Sequence, residues 1–202
     1  MSRPAPPEDL LQAASISLRP APEVWEWIVE QILTEGGSLF NEDHVHLRDA
    51  TLCVAWASQA FHKKGRTVVG QAELVMFRAG GWQKARQEQQ MEEWFGLVPN
   101  YLITIAADYC AQCSDLEFCA LIEHELYHIA QATDKYGQPA FTEEGMPKLK
   151  MRGHDVEEFV GVVRRYGASA DVQALVDAAN SPAEVGKLNI ARACGTCLLK
   201  SA

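Results

Sequence analysis

Apolar and polar positions alternate with a helical period early in the chain. Trp25, Ile28 and Ile32 follow Pro22 at spacings of three and four residues, and Gly36 ends the pattern. Apolar side chains at this spacing share one face of an α-helix, and proline suits the first turn of a helix. The sequence therefore predicts a scaffold helix in this region.

Three apolar, β-prone runs follow, at residues 51–56, 67–77 and 101–106. The first two are separated by a polar segment at 61–66, and together they predict a β-hairpin. The third run predicts a further strand. Residues 83–95 are polar and charged, which indicates either an exposed helix or a long insertion, ending at Gly96.

The most sharply defined helix is predicted after Ser114. Ser114 and Glu117 have the spacing of a capping box, in which serine and glutamate satisfy backbone groups at a helix start. Apolar residues then recur every three or four positions, namely Phe118, Leu121, Ile122, Leu126 and Ile129. We expect this helix to pack against the core. After it, residues 133–152 have the composition of a loop, and helices are predicted beyond residue 155 and within residues 171–193.

The same helix carries His124, Glu125 and His128 in the pattern H-E-x-x-H. Residues four apart lie on one face of a helix, so the two imidazoles can bind one metal ion. In zinc sites of this pattern the histidines hold the metal, and the glutamate takes a proton from a zinc-bound water whose pKa falls to about 7. We therefore predict His124 and His128 as zinc ligands and Glu125 as the general base.

A third protein ligand is expected, because catalytic zinc usually has three and keeps one position open. We favour His154, which lies at the start of a later predicted helix and would complete a site of three histidines. Glu157 and Glu158 are the alternatives, since a glutamate can also serve as a zinc ligand. Glu158 is the less suitable of the two if it closes a capping box with Asp155.

Four of the six cysteines form two C-x-x-C pairs, Cys110 with Cys113 and Cys194 with Cys197. Each pair has the spacing of half a structural zinc site, so the four thiolates could hold a second zinc ion. The alternative is four thiols without a metal, or a disulfide formed during purification. Cys53 and Cys119 have the surroundings of core residues.

Composition limits the classes of partner. The net charge of -9 and a pI near 5.1 argue against sequence-independent binding of nucleic acid, which needs lysine and arginine for the phosphates. No run approaches the roughly 18 apolar residues of a membrane helix, and no apolar signal segment is seen at the N-terminus. We therefore expect a cytoplasmic protein that binds neither nucleic acid nor a membrane.

These residues together resemble the putative phage metallopeptidases. The resemblance spans about residues 45–167 and rests mainly on the histidine motif and on residues 153–159, Gly-His-Asp-Val-Glu-Glu-Phe; the runs 51–56, 63–70, 102–105 and 164–167 support it more weakly. It implies a zincin-like fold, a zinc ion and peptide hydrolysis, in a protein carried by a bacteriophage or prophage.

We therefore predict an α+β protein in which a small mixed or antiparallel sheet packs on the H-E-x-x-H helix, followed by C-terminal helices. Residues 1–20 are expected to form a flexible tail. Residues 21–202 are expected to form one domain with a helical extension from about residue 168 to 202. The predicted function is zinc-dependent hydrolysis of a peptide or protein substrate. The alternative is a catalytically silent zinc-binding interaction module of a phage or prophage.

Overall fold

A computed structural model of the protein describes residues 3–63, 66–156 and 160–186. The described residues fall into two compact units, one up to Met151 and one that begins at Arg152. Two shorter helical stretches accompany the main elements, a π-helical turn at Val29–Leu33 and a 3-10 helix at Glu42–Leu47. In chain order the main helices and strands are α1 (Glu8–Leu11), β1 (Leu18–Pro20), α2 (Pro22–Ile28), β2 (Leu52–Ala57), β3 (Phe61–Lys63), β4 (Arg66–Val68), β5 (Gly70–Leu74), α3 (Gly81–Phe95), β6 (Tyr101–Ala106), α4 (Ala107–Gln112), α5 (Asp115–Tyr127), β7 (Ile129–Gln131), β8 (Leu149–Met151), α6 (Val160–Tyr166) and α7 (Ala170–Asn180).

The first unit is built on a four-stranded mixed sheet with the strand order β1-β2-β6-β5. The central strands β2 and β6 run parallel, and the outer strands β1 and β5 run antiparallel to their neighbours. Val54, Trp56, Ile103 and Ile105 on the central strands are buried. The mixed α+β architecture with a small sheet is thus confirmed.

The predicted hairpin between residues 51–56 and 67–77 is wrong in its pairing. Strands β2 and β5 belong to one sheet, but β6 lies between them and pairs with both. The two central strands, β2 and β6, are both covered on both faces, which agrees with their nearly continuous apolar sequences. The polar segment between the two runs instead forms a separate small hairpin of β3 and β4.

Helix α5 forms as the sequence predicts. The Ser114 side chain accepts a hydrogen bond from the Glu117 backbone, and the Glu117 carboxylate accepts one from the Ser114 backbone, which completes the capping box. Phe118, Leu121 and Leu126 are fully buried, and Phe118 meets Trp27 of α2 edge to face at a centroid distance of 5.4 Å. The helix is therefore held between α2 and the sheet strand β5, against which it also packs.

Two further predicted helices are confirmed. Helix α2 starts at Pro22 and continues into the π-helical turn, and Gly36 follows with φ of 89°. Helix α3 ends at Phe95, and Gly96 takes the left-handed conformation with φ of 74° that a helix stop commonly uses. No residue of α3 is buried, as its polar sequence indicates.

Residues 3–20, which the sequence presents as a flexible tail, contain ordered elements in the structure. Strand β1 pairs with β2, and Leu10 of α1 is buried. The Arg3 guanidinium donates hydrogen bonds of 2.9 and 2.7 Å to the carbonyl oxygens of Cys110 and Cys113, and it forms an ion pair of 2.8 Å with Asp115. The last carbonyl groups of a helix have no partner within it, so Arg3 supplies one at the end of α4.

Residues 133–151 also differ from the predicted loop. Strands β7 and β8 pair in antiparallel fashion, and two isolated bridges continue the pairing at Thr133 with Pro139 and at Phe141 with Pro147. Gly137 and Gly145, both with positive φ, lie in the turns between the paired stretches, whereas Pro139 and Pro147 take part in the bridges themselves.

The second unit contains α6 and α7, and the Ser169 side chain caps α7. Residues 181–186 are not helical. The predicted capping box between Asp155 and Glu158, and the remainder of the predicted helical extension, involve residues 157–159 and 187–202 outside the described residues. The single-domain organisation stays a prediction. None of the described helices combines the length and apolar character that a bilayer crossing requires.

His44 is a fully buried titratable residue on the 3-10 helix. Its ring packs edge to face on Tyr127 at 4.4 Å, and among the described residues neither ring nitrogen has a hydrogen-bond partner. Burial lowers the pKa of His44 to about 4, because a charged imidazolium would lose its hydration; nearby His46 acts in the same direction and Asp43 opposes it.

The burial of His44 predicts a loss of stability in acid. Between pH 6.5 and 4 the unfolded chain binds a proton at this residue that the folded chain does not, so the free energy of unfolding falls as the pH falls through this window. Urea unfolding at pH 7 and pH 4.5 should show that the wild type loses about 2 to 3 kcal/mol more than His44→Leu does. Equal losses in the two proteins would contradict the assignment.

Candidate metal centre

The two histidines of the motif lie together at the end of α5. His124 is in the last turn and His128 is the C-cap, which keeps helical backbone angles. Their Nε2 atoms are 3.2 Å apart. Two nitrogens that bind one tetrahedral zinc ion at about 2.0–2.1 Å are separated by about 3.3 Å, so this spacing fits a shared metal.

His154 is the third histidine of the candidate site. One ligand nitrogen from each of His124, His128 and His154 lies within 4.8 Å of the others, and all three residues are partly exposed. Imidazole nitrogens suit zinc, copper, iron and nickel, so the donor set can hold a metal ion without fixing its identity.

Glu125 lies on the buried side of α5, next to His124. The residue has no exposed surface, and no side chain among the described residues makes a hydrogen bond to either carboxylate oxygen; the polar group that acts on the carboxyl group is the backbone of Ala72. Burial raises the pKa of Glu125 to about 7, and the nearby Ala72 backbone partly offsets this rise. A buried carboxyl group without a charged or side-chain partner is costly, and such groups concentrate at functional sites.

The alternative third ligands Glu157 and Glu158 lie outside the described residues, as do Cys194 and Cys197. The structure therefore brings together three histidines of the predicted site. Glu125 follows His124 in the sequence, and its carboxyl group is buried.

Cys110 and Cys113 lie close together at the end of α4, and both are free thiols. The Cys113 thiol is 3.3 Å from Nη1 of Arg3. A hydrogen bond from Cys110, aided by the positive charge of Arg3, lowers the pKa of Cys113 to about 7, and the same hydrogen bond together with burial raises the pKa of Cys110. Two neighbouring thiols whose pKa values are shifted in opposite directions can serve as half of a metal site or remain a pair of thiols without a metal.

Tyr127 has a structural role that sequence reasoning did not find. Its hydroxyl donates a hydrogen bond of 2.9 Å to Asp43 and accepts one of 3.2 Å from Asn41. Close by, a ring nitrogen of His46 contacts the carbonyl oxygen of Ile129 at 2.8 Å. These contacts tie the end of α5 to the 3-10 helix, and no local pattern could have revealed partners more than 80 residues away.

A mixed sheet packed on a helix whose end carries a cluster of imidazoles defines the chain as an α+β protein with a site that could hold a metal ion. The chain belongs to the family described as putative phage metallopeptidase, whose model matches residues 25–180. The search of curated proteins found no match, and neither did the search of solved structures. The family membership confirms the resemblance inferred from the sequence.

The clustering of histidines predicts a metal site that depends on His124. His124→Ala should remove one equivalent of bound metal per chain relative to the wild type, because the remaining ligands cannot hold the ion alone. Elemental analysis after dialysis measures this change. His62→Ala, at an exposed histidine on β3, is the matched control and should keep the wild-type metal content. Equal metal contents in the two variants would contradict the site.

Proposed function

We propose that the protein is a zinc-dependent metallopeptidase with a zincin-like arrangement of sheet and metal helix. His124, His128 and His154 bind the zinc ion, and Glu125 is the general base. The observation that carries the proposal is the buried carboxyl group of Glu125, which has no side-chain partner among the described residues. Glu125 follows His124, whose Nε2 is 3.2 Å from that of His128. The family description supports the same reaction class.

The residues of this chain divide the work of hydrolysis. A zinc ion held by His124, His128 and His154 would supply Lewis acidity for the activation of water and the polarisation of a carbonyl group. Glu125 accepts a proton from the attacking water. It then returns that proton to the nitrogen of the departing amine, so that the C–N bond breaks as the new C–O bond is kept.

The substrate class that we propose is a peptide or protein in extended conformation. Strand β5 is the last strand of the sheet among the described residues, on the side of β6 away from β2. It also packs against α5, which carries the metal ligands. An extended peptide can pair with such an edge through main-chain hydrogen bonds that are largely independent of its sequence.

The third ligand and the catalytic role each have an alternative. Glu157 or Glu158 would replace His154 as third ligand if the carboxylate binds instead of the imidazole. A catalytically silent module would bind zinc at the same histidines and use the scaffold to bind a host protein. The proposed place of action is the cytoplasm of a bacterial host, because the family is associated with phages.

The role of Glu125 predicts a separation of metal binding from turnover. Glu125→Gln should keep the metal content of the wild type and lower kcat at least 100-fold, because the amide cannot accept the proton. The assay uses zinc-loaded protein with fluorescein-labelled casein and a mixed library of internally quenched peptides. Glu92→Gln, at an exposed glutamate of α3, is the control and should keep wild-type activity.

The same assay separates the peptidase from the silent module. A zinc-loaded wild type that cleaves neither casein nor any peptide of the library would contradict the peptidase and favour the module. Wild-type activity in Glu125→Gln would contradict the assignment of the base while leaving a hydrolase.

We also propose that Cys110, Cys113, Cys194 and Cys197 hold a second, structural zinc ion. The contact between the first two thiols supports it, since each C-x-x-C pair provides half of such a site. Protein purified under reducing conditions should then contain about two zinc ions per chain. Cys110→Ser should lose one of them and keep the one that depends on His124. A single zinc ion that Cys110→Ser retains would show that the cysteines are plain thiols.

A further inference from the structure

Gly70 is the first residue of β5, and it faces Glu125 across the contact between strand and helix. A Cβ atom at this position would lie 2.6 Å from Oε1 of Glu125, 3.1 Å from its Cδ and 2.8 Å from Cδ1 of Leu121. Cβ atoms in proteins essentially never approach another heavy atom within 3.0 Å. With Glu125 in its present position, hydrogen is the largest side chain that fits at residue 70.

The requirement for glycine here is one of space and not of backbone conformation. Gly70 is absent from the glycines with positive φ, so its backbone angles do not themselves demand glycine. By contrast, Gly80 has φ of -120° and nothing within 4 Å of its own ideal Cβ position. The two glycines differ in what lies next to them, which makes Gly80 a matched control.

Neither side of the contact has room to withdraw. Strand β5 is held by five antiparallel residue pairs with β6, beginning with Gly70 opposite Ile105. On the other side, α5 is anchored by Leu121, Ile122 and Leu126, which are fully buried. The Glu125 carboxyl group is the free end of a flexible side chain, so a methyl group at residue 70 would displace it sooner than the backbone.

We infer that Gly70 is a positioning residue, which lets the edge strand approach α5 closely and holds the Glu125 carboxyl group in the place from which it takes the proton. This inference rests on the proposed function. Since a displacement of about 1 Å at a reacting group can cost about 100-fold in rate, Gly70→Ala should lower kcat by about that factor. The three heavy atoms nearest to that Cβ position belong to Glu125 and Leu121 and not to a zinc ligand, so zinc content and KM should change little.

The experiment compares zinc-loaded full-length wild type, Gly70→Ala and Gly80→Ala on the internally quenched peptide that the wild type cleaves best. Gly80→Ala should keep the wild-type kcat and KM. The same Gly70→Ala substitution is then made in Glu125→Asp, whose shorter side chain removes the contacts with Oε1 and Cδ and leaves only the contact with Cδ1 of Leu121. There it should change the residual kcat less than threefold.

A second measurement does not depend on activity. The four proteins are the wild type, Gly70→Ala, Glu125→Ala and the double variant, and their urea unfolding midpoints are compared. Gly70→Ala should lower the midpoint more in the wild type than in Glu125→Ala. If Gly70→Ala alone does not fold, the combination with Glu125→Ala should give more soluble, folded protein, because the clash with the carboxyl group is then removed and only the contact with Cδ1 of Leu121 remains.

The outcomes separate the two claims. A wild-type kcat in Gly70→Ala, or the same fold-loss in the wild type and in Glu125→Asp, would overturn the inference about Gly70 and leave the peptidase standing. A zinc-loaded wild type without peptide hydrolysis would contradict the proposed function. In that case the unfolding midpoints decide alone, and equal drops in both backgrounds would overturn the positioning of Glu125 by Gly70.

Discussion

The close packing of α5 on β5 is the contact on which the candidate site depends. The apolar face of the helix joins the core through residues such as Phe118 and Leu121, and this burial fixes the helix about its own axis. With that rotation fixed, Glu125 is directed into the contact between helix and sheet. The same packing that stabilises the unit therefore determines which motif residue is dry and which are partly exposed.

The electrostatics of the helix end favour a cation at the histidines. His124 and His128 lie at the C-terminal end of α5, where the helix dipole is negative and the last carbonyl groups lack helical partners. Burial disfavours the charged form of Glu125, whereas a nearby cation acts in the opposite direction. The local fold thus combines imidazole donors, a negative helix end and a dry carboxyl group within one turn of helix.

Local features of the fold could be predicted from the sequence, and non-local ones could not. The start of α5 is encoded by Ser114 and Glu117, and the end of α3 by Gly96, because caps act within one turn. By contrast, β6 lies between β2 and β5, and the apolar pattern of the three strands is equally compatible with other strand orders. The contacts of Arg3 likewise join residues more than 100 positions apart, and no spacing rule reaches that far.

The site shows the same division. The spacing of His124, Glu125 and His128 indicates the chemistry directly, since these residues share one helix. The hydrogen bond from Tyr127 to Asp43 and the close approach of Glu125 to Gly70 can be recognised only in the folded structure. From sequence alone, a glycine in a strand can indicate a bulge, a bend or a close approach of another group, and only the neighbouring residues in the structure show which of these applies.

The position of Arg3 has a consequence for how the protein forms during synthesis. Its partners at Cys110, Cys113 and Asp115 are made more than a hundred residues later, so Arg3 leaves the ribosome long before these contacts can form. The parallel pairing of β2 with β6 also has to wait for a distant segment. The start of α5 is therefore completed late, when the segment that carries Arg3 meets the much later segment from Cys110 to Asp115.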